Sequence, residues 1–205
     1  MKKPKTLSFT SIPGTYTKHT ACSTDPAVSV TFAHKEAKGE KTVQRRQAVF
    51  RVLGIDPGLA STGWAVVDYI DSRYRAADWG VIETAKELER RERLSLIYDQ
   101  LQNVLDTYKP HEASMETLYF AKNVTNALFV AEARGVLTLC LERNKVALAE
   151  YSPNGIKKSV SGTAKADKAL VQKYVALLLG LKEIPRPDHA ADALAAAITH
   201  IHSVR

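Results

Sequence analysis

Four side chains in this sequence have the types and spacing of a metal-dependent phosphate-cleaving group. Asp56 follows a short apolar run, Val49 to Ile55, and precedes Pro57-Gly58. Glu116 ends a second short run, Ala113-Ser114-Met115. His189 and Asp192 are three apart at the start of a candidate helix, so they share a face within its first turn. Ala190 and Ala191 leave that face uncrowded. Carboxylates gathered at such a point repel by several kcal/mol, the order given by Coulomb's law at an effective dielectric of about 20. Cations relieve that repulsion, and oxygen-rich ligands favour Mg²⁺ with Mn²⁺ as a substitute. Two such ions about 4 Å apart suit in-line hydrolysis of a phosphodiester. Singly, each residue has an ordinary explanation. Asp56 suits a plain turn, Glu116 a solvated strand end, Asp192 a first-turn acid favoured by the helix dipole, and His189 a surface or core histidine. Asp188, after Pro187, is expected to be only an N-cap.

The elements that must position these groups follow from periodicity. Val49–Ile55, Gly63–Asp68 and Tyr74–Thr84 read as three strands joined by short loops, hence an antiparallel meander. Apolar residues at helical spacing predict a helix over Glu87–Tyr108, closed by Pro110. A short strand over 113–116 follows. A second helix, about Asn123–Asn144, is expected to bury a face made by Val124, Ala127, Leu128, Ala131, Gly135 and Leu139. A strand over Val146–Tyr151 and helices over Lys168–Leu179 and about Asp188–His202 complete the chain. The order β-β-β-α-β-α-β-α-α predicts an α/β ribonuclease H-like fold, a five-stranded mixed sheet flanked by helices. In its strand order 3-2-1-4-5, Asp56 and Glu116 meet where the order reverses, which is where open α/β sheets bind ligands. Between the last strand and the helix at Lys168, residues 155–168 hold four lysines, Lys157, Lys158, Lys165 and Lys168, with two glycines. A flexible basic stretch of this kind suits phosphate contacts, or else is a solvated loop and helix start.

Composition bounds the rest. With 205 residues, 45% hydrophobic and 25% charged, the chain has the balance of one ordinary globular domain. No apolar run approaches the roughly 20 residues that span a bilayer, so no membrane role is expected. Cys22 and Cys140 lie far apart and match no zinc or disulfide framework. The net charge of +7 is uneven. Residues 1–50 carry 9 Lys+Arg against 3 Asp+Glu, whereas residues 51–205 carry 20 against 19, so binding of an anion by the folded part rests on local patches. Residues 1–48 are rich in Ser, Thr and Lys, are broken by Pro4, Pro13 and Pro26, and have no sustained period. They read as a disordered basic arm, compatible with an organellar transit segment or a start codon set too far upstream. Residues 49–205 read as the nuclease domain.

Four blocks occur in a telling order: Ile55-Asp56-Pro57-Gly58 with Thr62-Gly63; Met115-Glu116 with Tyr119-Phe120-Ala121-Lys122-Asn123; Ala133-Arg134-Gly135-Val136; and His189-Ala190-Ala191-Asp192-Ala193-Leu194-Ala195. Over about residues 50–203 the chain resembles the RuvC family of Holliday junction endonucleases. The resemblance implies a homodimer that resolves four-way DNA junctions by paired symmetric nicks. It places a catalytic and metal-binding tetrad on Asp56, Glu116, His189 and Asp192. Some members carry Asp and others His at the third position, which leaves His189 as ligand or general base. DNA contacts are implied at Lys157 and Lys168, joined by Lys158, Tyr119, Phe120 and Lys122 as candidates, with Tyr119 stacking on a base near the crossover while the neighbouring aromatic packs inward. A branch-migration helicase partner and a cytoplasmic, nucleoid-associated location are implied by the family only, the location becoming organellar if the arm is a transit peptide. Other readings are an RNA-processing nuclease of the same fold, an actin-like phosphate-loop ATPase, for which only one lobe is present, and a junction-binding module without catalysis, for which the tetrad would be broken.

Overall fold

The computed structural model describes residues 48–117 and 124–205. Nearly all of the expected arm, and Tyr119, Phe120 and Lys122, lie outside them. The described chain runs β1 (Phe50–Asp56), β2 (Ser61–Ile70), β3 (Arg73–Glu83), α1 (Arg90–Tyr108), β4 (Glu112–Glu116), α2 (Val124–Arg143), β5 (Ala147–Tyr151), α3 (Pro153–Ser161), α4 (Lys168–Leu178) and α5 (Asp188–Val204). The sheet order is β3-β2-β1-β4-β5. β1, β2 and β3 form the antiparallel meander, and β4 and β5 add in parallel. This is the ribonuclease H-like arrangement the sequence predicts.

Alternation along the central strands splits the core into two layers. Leu53, Ile55, Trp64 and Val66 face α1 and α2, where they meet Ile97, Leu101 and Leu137. Val52, Ala65 and Val67 face the other way, onto α3, α4 and α5 through Ile156, Val175 and the alanine-rich flank of α5. α1 begins at Arg90, three residues later than Glu87, because Glu92 reaches back to accept from the Glu89 backbone N–H at 2.9 Å and fixes the first turn there.

Two expectations are corrected. Much of the stretch read as a flexible basic loop is the helix α3. Ser152 accepts from the Gly155 N–H at 3.1 Å, Pro153 occupies the first helical turn, and Gly162 ends the helix at φ 79°. The face assigned to α2 is also wrong. Ala133, Leu137, Cys140 and Leu141 are buried, while Leu128 and Leu139 are 57% and 52% exposed. Apolar residues run right round this helix, so periodicity does not select a face.

The placing of α5 matters most for function. A Cβ built on Gly54 would sit 1.9 Å from the Ala193 carbonyl oxygen, and one on Gly63 would sit 2.0 Å from that of His189. The helix backbone therefore rests directly on β1 and β2. Farther along, buried His200 is held at both nitrogens, by the Tyr151 hydroxyl at 2.7 Å and Glu112 at 2.6 Å. The N-terminal half of α5 is seated by contact with the sheet and the C-terminal half by polar anchors on β4 and β5.

Candidate active site

Asp56 is the last residue of β1 and Glu116 the last of β4. The strands pair in parallel up to Ile55 opposite Met115, so the two acids emerge side by side at the carboxyl edge. The turn after Asp56 is closed by Thr62, whose hydroxyl donates to the Gly58 carbonyl at 2.6 Å. Gly58 is required there, since a Cβ would meet the Ser61 carbonyl oxygen at 2.4 Å. Thus the Asp-Pro-Gly and Thr-Gly pieces of the first block form one local device that sets the direction of Asp56.

The first turn of α5 lies over this edge. Asp56, His189 and Asp192 each offer a ligand atom within 4.8 Å of the others. His189 Nδ1 donates to Asp56 Oδ2 at 2.7 Å. That bond holds the imidazole pKa above its ordinary value, against the opposing effect of burial. Glu116 stands outside this tight trio and lines, with Asp192, Lys157 and Lys168, a cavity of about 230 Å³ between β4 and the helices α3, α4 and α5. Burial, then the charges of Asp56 and Asp192, push Glu116 up to about 7 even though Lys157 and Lys168 pull the other way. Burial also raises Asp192, opposed by its bond from Lys168. Burial, ahead of mutual repulsion, is what holds these two acids above their ordinary range, and the lysines offset it in part.

Among the predicted DNA contacts, Lys157 and Lys168 face this cavity, while Lys158, one step round α3, does not line it. Asp188 is not an N-cap. Pro187 holds that position, and Asp188, the first helical residue, accepts from Gln172 and Arg186 and pairs with Lys168 at 3.6 Å. Arg134 acquires a place that sequence reasoning did not give it, although it stands in one of the four blocks. Only 15% exposed, it donates to the Glu116 backbone carbonyl and to Glu150, tying the ends of β4 and β5 together behind the site.

The sequence model for Crossover junction endodeoxyribonuclease RuvC matches residues 52–200. The chain belongs to the RuvC family. A RuvC from Treponema denticola is 54% identical over 151 residues, covering 74% of this chain and 85% of that protein. One from Treponema pallidum is 50% identical, covering 74% and 77%. Among solved structures, Thermus thermophilus RuvC in complex with Holliday junction substrate superposes with a TM-score of 0.73 at 32% identity, covering 76% of this chain and 95% of that one. The yeast mitochondrial Holliday junction resolvase, 16% identical with a TM-score of 0.55, shares the fold.

Proposed function

We propose that this RuvC family member resolves four-way DNA junctions as a homodimer, cutting two opposed strands by divalent-metal-assisted hydrolysis. The observation that carries the reading is the trio Asp56, His189 and Asp192 at the β1–β4 edge, with Glu116 at the neighbouring strand end and two lysines facing the cavity that Glu116 and Asp192 line. The donor set fits Mg²⁺, with Mn²⁺ as a substitute, because it is mostly hard carboxylate oxygen. Two ions held by the tetrad would neutralise charge developing on the phosphate and the leaving oxygen.

The chain's own residues do the rest. Lys157 and Lys168 draw a phosphate over Glu116 and Asp192. Asp56 orients His189 through Nδ1, leaving Nε2 to meet an ion or to take a proton from the attacking water. Arg134 keeps Glu116 in place. On the family resemblance, Tyr119 stacks on a base at the crossover, with Phe120 and Lys122 kept only as candidate contacts, so Tyr119→Ala binds junctions but cuts them slowly. Support for a second copy comes from α2, where Leu128, Gly135 and Leu139 fall on one exposed face and a Cβ on Gly135 would meet nothing within 4 Å. Among the described residues no helix is long and apolar enough to cross a membrane. A helicase partner and a nucleoid-associated location rest on the resemblance alone.

The test compares a four-way DNA junction, duplex DNA and structured RNA as substrates of the wild type and of Asp56→Asn. Paired symmetric nicks in the junction alone, abolished by Asp56→Asn with binding retained, are expected. Cleavage of structured RNA in preference to the junction supports the RNA-processing alternative, and unimpaired cutting by Asp56→Asn removes the site.

A further inference from the structure

A second cleft, of about 540 Å³, is bordered by His189 and shares no lining residue with the lysine-lined cavity. Its walls are the turn after β1 from Pro57 to Ser61, Phe129 on α2, and Lys86 and Arg93 near the start of α1. Among the described residues, no carboxylate lines it. His189 belongs to both this cleft and the candidate metal site, so a strand lying across the site would place its neighbouring nucleotide here.

Arg93 is arranged to receive an anion. Its Nε donates to Thr84 Oγ1 at 2.8 Å. Thr84 is 7% exposed, and its hydroxyl in turn donates to the Leu59 carbonyl at 2.5 Å. The Thr84 N–H donates to the Ala60 carbonyl at 3.0 Å. The guanidinium is thus fixed to the same turn that follows Asp56. Among the described residues its two Nη groups make no hydrogen bond or ion pair. An arginine held at Nε presents its Nη pair as a fork matched to two phosphate oxygens, with little side-chain freedom left to lose on binding. Lys86, exposed on the same wall, adds a point charge. Phe129 supplies an apolar surface for a sugar or base.

We propose that this cleft is a phosphate-binding subsite for the nucleotide flanking the cut, with Arg93 as its fork, Lys86 as its second charge and Thr84 as the residue that positions Arg93. The inference rests on the nuclease reading above and adds to it the side of the site on which the strand is gripped.

The experiment pairs protein changes with DNA changes. Junctions carrying a single neutral methylphosphonate at successive positions around the cut are bound in EDTA by the full chain, as wild type, Arg93→Gln, Arg93→Lys and Lys86→Gln. Neutralising one flanking phosphate is expected to weaken wild-type binding about tenfold, as for the loss of a charged hydrogen-bonded pair. Arg93→Gln should weaken binding to the unmodified junction by a similar factor and lose nothing more at that one phosphate, while still responding at the others. Arg93→Lys should recover part of the loss. Lys86→Gln, a surface change that does not threaten the fold, should lower the salt slope of binding by about one ion. Equal responses of wild type and Arg93→Gln at every position overturn the subsite. If melting shows Arg93→Gln unfolded, an unchanged salt slope for Lys86→Gln overturns it instead. Failure of the nuclease reading has a different signature: the wild type with Mg²⁺ leaves the unmodified junction uncut.

Discussion

Lys168 Nζ lies 2.9 Å from Asp192 Oδ2 and 3.6 Å from Asp188 Oδ2, so an ammonium group stands among the carboxylates of the site. Its place is set locally: Asp167 caps α4 by accepting from the Leu170 N–H at 2.7 Å, which makes Lys168 the first helical residue and aims it at α5.

Lys168→Met keeps the stem and removes the charge. We expect weaker junction binding for all sequences and a salt slope lower by about one ion. Lys157→Met should do the same, and the pair together about twice as much. The check is binding measured across a salt series; an unchanged slope would place the lysines in solvent contact only.

Glu116 gives a pH signature. Its carboxyl rises from an ordinary 4.5 to about 7 in the folded chain, chiefly through burial. Between those values the folded state holds more protons than the unfolded state, so metal-free stability falls as pH rises through the window. Glu116→Gln should flatten that part of the curve. Melting temperature against pH in EDTA, wild type beside variant, tests it, and parallel curves would show that Glu116 does not titrate as described. Added Mg²⁺ should restore most of the wild-type loss above the window and little of the variant's.

Gly63→Ala tests how α5 is seated. The new Cβ meets the backbone carbonyl of His189, which cannot swing aside as a side chain could. Overpacking of this kind costs about 1–3 kcal/mol. Since the first turn of α5 carries His189 and Asp192, single-turnover cleavage per folded molecule should fall as well. Normal cleavage by the surviving folded fraction would mean that the strand, not the helix, gives way.

Leu128→Glu with Leu139→Glu tests the exposed face of α2. Both side chains are more than half exposed, so the monomer fold should change by no more than about 0.5 kcal/mol. Sedimentation should give a dimer for the wild type and a monomer for the variant, and paired cutting should become unpaired. A persistent dimer would assign the interface elsewhere.

The element ends that carry Asp56, Glu116, His189 and Asp192 were legible from local signals, turn residues at the strand ends and a three-residue spacing at a helix start, while the sheet order followed from matching the element order to the ribonuclease H-like fold. Part of what escaped was local, and part was relational. Ser152-Pro153 and Gly162 are start and stop signals of α3, yet the lysines between them drew the stretch toward a loop reading. The buried face of α2 could not be chosen because both flanks are apolar, and the choice is made by Leu137 and Leu141 meeting the sheet. Arg134 and Arg93 acquire meaning only from partners far along the chain or across a turn, Glu116 and Glu150 for one, Thr84 for the other. No periodicity records such pairings.

The contact of Gly54 and Gly63 with the α5 backbone also limits how this sequence can drift. Every single-nucleotide missense change in a glycine codon adds at least one heavy atom, and the smallest, to alanine, adds the very Cβ that lands about 2 Å from a carbonyl oxygen. The sheet side of the seam therefore has no small step open to it. The helix side is less constrained, since Ala193 or Ala197 can lose its methyl group without collision. Variation along this seam should run in one direction, with atoms lost from α5 and none gained on β1 or β2.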